Sequence, residues 1–178
     1  MKTIRSRIIA AMLAAVALCL SACTFGGDDE PDYDATTLAV GTTAPVFTMY
    51  TDEYPDGISL AQLRGGYVLV EFWRSGCRDC QAVTERMKEL YDTYAPQGIT
   101  FVGVSFDTDV DDWRTYVEDN GLDWMQHCEQ KSASESAVAA AYNIRWVPTF
   151  YLIDPEGNVA FATISIEKMA DELRVKSE

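Results

Sequence analysis

The sequence predicts an α/β domain: a central mixed β-sheet with helices on both faces, preceded by a short strand extension. Three observations carry this. Two apolar runs, YVLVEFW (67–73) and ITFVGVSF (99–106), flank a long segment of helical periodicity, and strands joined by a helix pair in parallel. Two later runs, VPTFYLID (147–154) and NVAFATI (158–164), meet at Pro155-Glu156-Gly157 and read as an antiparallel hairpin, which makes the sheet mixed. A chain of 178 residues suits one medium domain with a single core.

The elements follow in order. GTTAPVFTMYTDEYPDGISLAQLRG (41–65) reads as short strands with turns at Pro55-Asp56-Gly57 and Gly65-Gly66. YVLVEFW is rich in β-branched and aromatic residues, as a buried strand requires. The segment from Cys77 to Gly98 is helical, because Val83, Met87, Leu90, Tyr91 and Tyr94 fall on one stripe; Pro96 and Gly98 end it. After ITFVGVSF, a helix is expected over 110–120, with Asp109 as its cap and Gly121 as its stop. Ser132-Ala-Ser-Glu135 reads as a capping box opening the alanine-rich helix ESAVAAAY, with Asn143 beyond it. No strand is assigned between Asn120 and Ser132. IEKMADELRV closes the chain as a short helix.

Ahead of this domain (38–178) lie two segments of different character. Residues 1–23 combine a basic start, the apolar run IIAAMLAAVALCL and Leu20-Ser21-Ala22-Cys23. This is the pattern of an export signal, and the last four residues match the lipobox of bacterial lipoproteins, in which cleavage leaves Cys23 first and lipid-modified. Several acyl chains on one residue hold a protein stably at a membrane. Residues 24–37, TFGGDDEPDYDATT, carry five acids and no capacity for a core, and read as an acidic flexible tether. The expected location is the cell envelope, on its periplasmic face or at the cell surface.

Formal charge is −14, and removing Lys2, Arg5 and Arg7 with the signal leaves −17. So acidic a surface repels phosphate backbones, so no nucleic-acid partner is expected. With Cys19 and Cys23 accounted for by the signal, Cys77, Cys80 and Cys128 remain, far too few for a disulfide-stapled scaffold. The Cys-x-x-Cys pair therefore requires a chemical explanation. Its place between a strand and a helix puts Cys77 at the helix's first turn, where unpaired N–H groups and the dipole favour a thiolate. Cys80 lies one turn in, within bridging distance. Cys77 is assigned as the attacking sulfur and Cys80 as the sulfur that resolves the mixed disulfide. Cys128 is expected to be a structural thiol and His127 a surface residue. No metal site is expected, because Cys77, Cys80, His127 and Cys128 include no second Cys-x-x-Cys.

LVEFWRSGCRDC, together with WVPTF (146–150), resembles the thioredoxin pattern; APVF (44–47) and SLAQLRG (59–65) resemble the extracytoplasmic thioredoxin-like reductases of the TlpA/ResA type. The resemblance covers roughly residues 40–175. It implies a thioredoxin-like fold and a thiol–disulfide oxidoreductase, with no cofactor beyond the Cys77–Cys80 disulfide. By the same resemblance Pro148 follows a cis bond from Val147 and lies beside Cys77, and the backbone around Val147 and Thr149 docks an extended substrate segment, with Trp73 packing beside the site. Glu71, an acid inside an otherwise apolar strand, falls where thioredoxins carry a buried acid, and would take the Cys80 proton. Gly76 stands where the family usually has tryptophan, and Arg78-Asp79 replaces the usual dipeptide. The implied partners are envelope proteins bearing disulfides or thiols and a membrane electron donor, with the protein acting as a monomer and a reductant.

Two other functions fit parts of the sequence. A thiol peroxidase of the peroxiredoxin kind shares the APVF-type opening, but Val70 and Arg74 stand where its Pro-x-x-x-Thr-x-x-Cys pattern needs proline and threonine. A surface lipoprotein with an inert Cys77–Cys80 bridge fits the acidic tether.

Overall fold

The computed structural model describes residues 33–177. The signal, its lipobox Cys23 and most of the tether lie outside the described residues. A 3₁₀ turn, Tyr33–Thr36, comes first. Then follow β1 (Thr48–Met49), β2 (Ile58–Ser59), β3 (Val68–Trp73), α1 (Arg78–Tyr94), β4 (Thr100–Ser105) and α2 (Val110–Asn120). The chain continues through β5 (Met125–Cys128), α3 (Ala137–Ala141), β6 (Thr149–Ile153), β7 (Val159–Thr163) and α4 (Ile166–Lys176).

Five strands form the central sheet in the order β5-β4-β3-β6-β7. β3 pairs in parallel with β4, and β4 with β5, whereas β3–β6 and β6–β7 are antiparallel. The strand–helix–strand connection and the late hairpin thus produce the mixed sheet that their order demands. The hairpin turn closes with Gly157 N–H donating to Asp154 O at 2.9 Å. Only glycine fits at 157: its φ is +91°, and a Cβ there would stand 2.4 Å from Arg64 Nε.

Successive side chains of a strand point to opposite faces, so each face has its own core. On one, Val68, Val70, Phe72, Val102, Val104, Tyr151 and Ile153 pack against Tyr142 of the α3 end and against Phe47, Met49, Ile58 and Leu60 of the N-terminal extension. On the other, Leu69, Trp73, Phe101, Phe150 and Leu152 pack against Met87 and Leu90 of α1 and Ile166, Met169 and Leu173 of α4. β3 is central to both, and all six of its residues are buried. Its acid, Glu71, sits among them.

Helix ends follow local chemistry. Asp109 accepts N–H donors from Asp111 and Asp112 to start α2, and Gly121 ends it with φ +60°. α3 differs from the reading above. Its cap is Ser136, whose Oγ accepts Ala139 N–H at 3.1 Å. Ser132 instead turns back on Glu135, donating to its carboxylate at 2.6 Å, because the helix is one short turn that begins after this bend. Ser136→Ala is expected to lower unfolding free energy by about 1 kcal/mol, seen as a lower urea midpoint; an unchanged midpoint would remove the cap assignment.

Two further differences stand out. Met125–Cys128 is the edge strand β5, although no strand is assigned there from sequence; its Gln126 and His127 are polar yet buried, which hides the alternation of a strand. His127 is accordingly interior, with Nδ1 accepting Tyr50 N–H at 3.3 Å and Nε2 3.2 Å from Glu129. Residues 33–37, read as the end of the tether, belong to the fold. Asp34 accepts Ile164 N–H at 2.8 Å and the Thr163 hydroxyl at 2.9 Å, and pairs with Lys168. Composition marks that stretch as solvated, but one of its acids has donors waiting at the end of β7.

Candidate active site

β3 ends at Trp73, and the loop Arg74–Gly76 delivers Cys77 to the N-terminus of α1. The loop is fixed from beneath. Asp107, buried just past β4, accepts Ser75 N–H at 2.9 Å and the Ser75 hydroxyl at 2.8 Å, and also takes the Ser105 hydroxyl. Gln81 donates to Ser75 O at 2.8 Å. These bonds tie the loop to the sheet and to the first turn of α1, so the position of Cys77 is set by buried groups. Sequence reading missed Asp107; the available signal is an acid directly after a buried strand, in the run SFDTD.

Cys77 is the N-cap residue of α1. Its Sγ accepts the Cys80 amide N–H at 3.4 Å, and its thiol donates to Val147 O at 3.5 Å. It is half-buried beside a groove of about 330 Å³ lined by Arg74, Gly76, Thr108, Asp112 and Val147. No Cβ contact is met at Gly76 within 4 Å, so the groove is open on that side. Cys80, one turn further, is buried; burial first, and then the hydrogen bond with Cys77, push its thiol well up from the ordinary range. Both are free thiols.

Glu71 lies under the pair. It is 5 % exposed, and burial pushes its carboxyl up to about 8. Glu71 and Cys80 line the same small cavity of about 10 Å³ with Trp73, Thr84 and Met87, room for a single water. The two groups thus border the same small space.

The Val147–Pro148 bond is cis, and Val147 O meets Cys77. Pro148 and Thr149 are buried, and the Thr149 hydroxyl donates to Trp146 O at 2.7 Å. Trp73 is 3 % exposed and packs on Tyr116 at 5.5 Å. The side chains of Trp73 and Thr149 are thus interior supports, which leaves the Val147 backbone and the exposed Trp146 at the surface here. Cys128, at the end of β5, is buried, and its thiol donates to Asp107 O at 3.4 Å. Among the described residues no group of His, Cys, Asp and Glu is placed to hold a metal ion, and no helix is long and apolar enough to cross a membrane.

Comparison with known proteins agrees with this geometry. The AhpC/TSA family model matches residues 40–162. A protein named thiol-disulfide oxidoreductase ResA, from Geobacillus kaustophilus, is 32% identical over 126 residues, covering 71% of this chain and 70% of that protein. Among solved structures, the thioredoxin domain of a thiol-disulfide oxidoreductase from Bacteroides vulgatus superposes with a TM-score of 0.72 at 30% identity, over 80% of this chain and all of that one. A thiol:disulfide interchange protein from a Bacteroides species gives 0.68 at 31% identity, over 77% and 89% of the two chains. With a thioredoxin-like sheet, a cis proline facing a helix-capping cysteine, and a family match across most of its folded length, this chain belongs to the AhpC/TSA family.

Proposed function

We propose that this protein is a thiol–disulfide oxidoreductase, held at the cell envelope by lipid on Cys23, that reduces disulfides of envelope proteins through Cys77 and Cys80. The observation that carries the reading is Cys77 Sγ at the start of α1, accepting an amide N–H and facing the Val147 carbonyl at a surface groove. Amide and helix-end dipoles there are arranged to hold a sulfur anion. The relatives named for the same chemistry support it, as does the lipobox sequence for the anchor.

In the proposed cycle the Cys77 thiolate attacks one sulfur of a substrate disulfide, and the other sulfur leaves with the bonding pair. Cys80 then attacks Cys77 Sγ, its proton passes to Glu71, and the second substrate sulfur departs as thiolate. The enzyme dithiol has thereby given two electrons to the substrate and become the Cys77–Cys80 disulfide, and a membrane donor returns them. The Val147 backbone beside the cis bond, whose carbonyl loses its donor once Cys77 is deprotonated, supplies strand-like hydrogen bonds to an extended substrate segment.

The test is reduction of insulin by dithiothreitol, which the whole chain should accelerate and Cys77→Ala should not. Absence of acceleration by the native protein sinks the reading. Rapid turnover of hydrogen peroxide through Cys77, with slow disulfide exchange, would replace it by a peroxidase. Equilibration with glutathione should place the pair nearer thioredoxin's value of about −270 mV than the oxidant end at about −120 mV.

A further inference from the structure

On the face of the central sheet that packs against α1, three strands present one row. Glu71 of β3 pairs with Gly103 of β4, and Gly103 pairs with Gln126 of β5. Residues paired in register on neighbouring strands share a face. The middle member has no side chain, and the Gln126 amide fills the space it vacates. A Cβ on Gly103 would stand 2.2 Å from Gln126 Oε1 and 3.0 Å from Nε2. Gln126 is 7 % exposed, and neither of its amide atoms has a hydrogen-bond partner among the described residues. Burying an idle amide is unfavourable, so an apolar residue would serve packing better unless the amide is used.

Across Gly103 from it, in the same row, stands Glu71. Burial alone displaces that carboxyl, so nothing in the resting site supports its charged form. Yet a carboxyl that is to accept a proton must first be ionised, and a buried carboxylate needs a donor. A primary amide offers both parts: its NH₂ donates to a carboxylate and, turned over, its carbonyl accepts from the acid.

We propose that Gln126 is a positioning residue for Glu71: laid across Gly103, its idle amide turns onto the Glu71 carboxyl during exchange, donating to the carboxylate and accepting from the acid. This rests on the reading of Glu71 as proton acceptor. In that step Cys80 Sγ bonds Cys77 Sγ, the Cys77–substrate S–S bond breaks with its electron pair going to the substrate sulfur, and the Cys80 proton goes to Glu71. The indole N–H groups of Trp73 and Trp124 also lack partners and border the Glu71 cavity. They can only donate, so they cannot accept the O–H of the protonated acid. Cys80 on α1 is the other titratable group lining that cavity.

Gln126→Met keeps the shape and removes both polar atoms. Gly103→Ala keeps the amide but drives its flexible end out of the slot. In the whole chain purified in detergent, the carbonyl stretch of protonated Glu71, assigned by its loss in Glu71→Gln, is followed by infrared difference spectroscopy across pH. The midpoint should rise by about one pH unit in Gln126→Met, and resolution of a Cys77 mixed disulfide at pH 8 should slow about tenfold. Gly103→Ala should reproduce both effects, and the double variant should be no worse than either single change. An unmoved midpoint in Gln126→Met, with Glu71→Gln still slow, overturns the positioning role and leaves the Glu71 reading standing. A midpoint moved by Trp124→Phe but not by Gln126→Met assigns the donor to the indole and also overturns it. If Glu71→Gln resolves as fast as the native protein, the Glu71 reading fails and this proposal with it.

Discussion

Glu71→Gln is expected to slow the closing of the Cys77–Cys80 disulfide by about 10²- to 10⁴-fold at pH 8 to 9, the range by which a positioned general base accelerates proton transfer. Reduced protein treated with an aromatic disulfide releases one coloured thiolate as Cys77 is capped and a second as Cys80 displaces it; the second phase reports the step. The native rate should climb with pH and level off above about 8, where burial has moved the Glu71 carboxyl, and the variant should lose that break. Below that pH the native carboxyl is already protonated, so the two proteins converge. An identical second phase in both would discard the proton-acceptor role. Stability should move oppositely. The folded-state value is raised, so the unfolded chain ionises first, and native stability falls from about pH 4.5 until it levels near 8. Glu71→Gln removes that loss. It should therefore be more stable than the native protein by a few kcal/mol at pH 9 and about equal to it at pH 4.

Phe72→Ala should have the largest effect on folding, about 3–5 kcal/mol. Phe72 has no exposed surface and its ring lies 4.9 Å from Tyr142, 5.9 Å from Tyr151 and 5.9 Å from Phe106. Tyr142 and Tyr151 are held in turn: Tyr151 Oη donates to Tyr142 O at 2.7 Å and accepts Leu38 N–H at 3.0 Å. These rings cannot close over a missing neighbour without giving up those bonds, so the cavity stays open. Urea unfolding followed by tryptophan fluorescence measures the loss; a change under 1 kcal/mol would mean that this face of the sheet repacks freely.

Much of this arrangement was legible in the residues. β3, β4, the β6–β7 hairpin and both ends of α2 follow from apolar runs and caps, because each depends on a few adjacent side chains. β5 escaped because its burial is decided by distant partners: Gln126 lies over Gly103, and His127 meets the backbone of Tyr50. Ser136 and Ser132 are equivalent by composition, and only the length of α3 separates them. In the site, Cys77, Cys80, Glu71 and Pro148 could be placed from order and resemblance. Asp107 could not, since its role depends on Ser75, 32 positions away. Trp73 was expected to pack beside the site and the backbone at Thr149 to line it; alternation along β3 and the pairing of β6 turn both side chains inward.

The anchoring of Asp34 at the end of β7 shortens the leash. Between a lipid on Cys23 and the first described residue stand positions 24–32, and nine residues span at most about 30 Å even fully stretched. On the lipoprotein reading, the exchange centre patrols a thin shell over its own bilayer. Clients would have to lie against that surface, and turnover would track their density in the plane of the membrane more closely than their amount in bulk fluid.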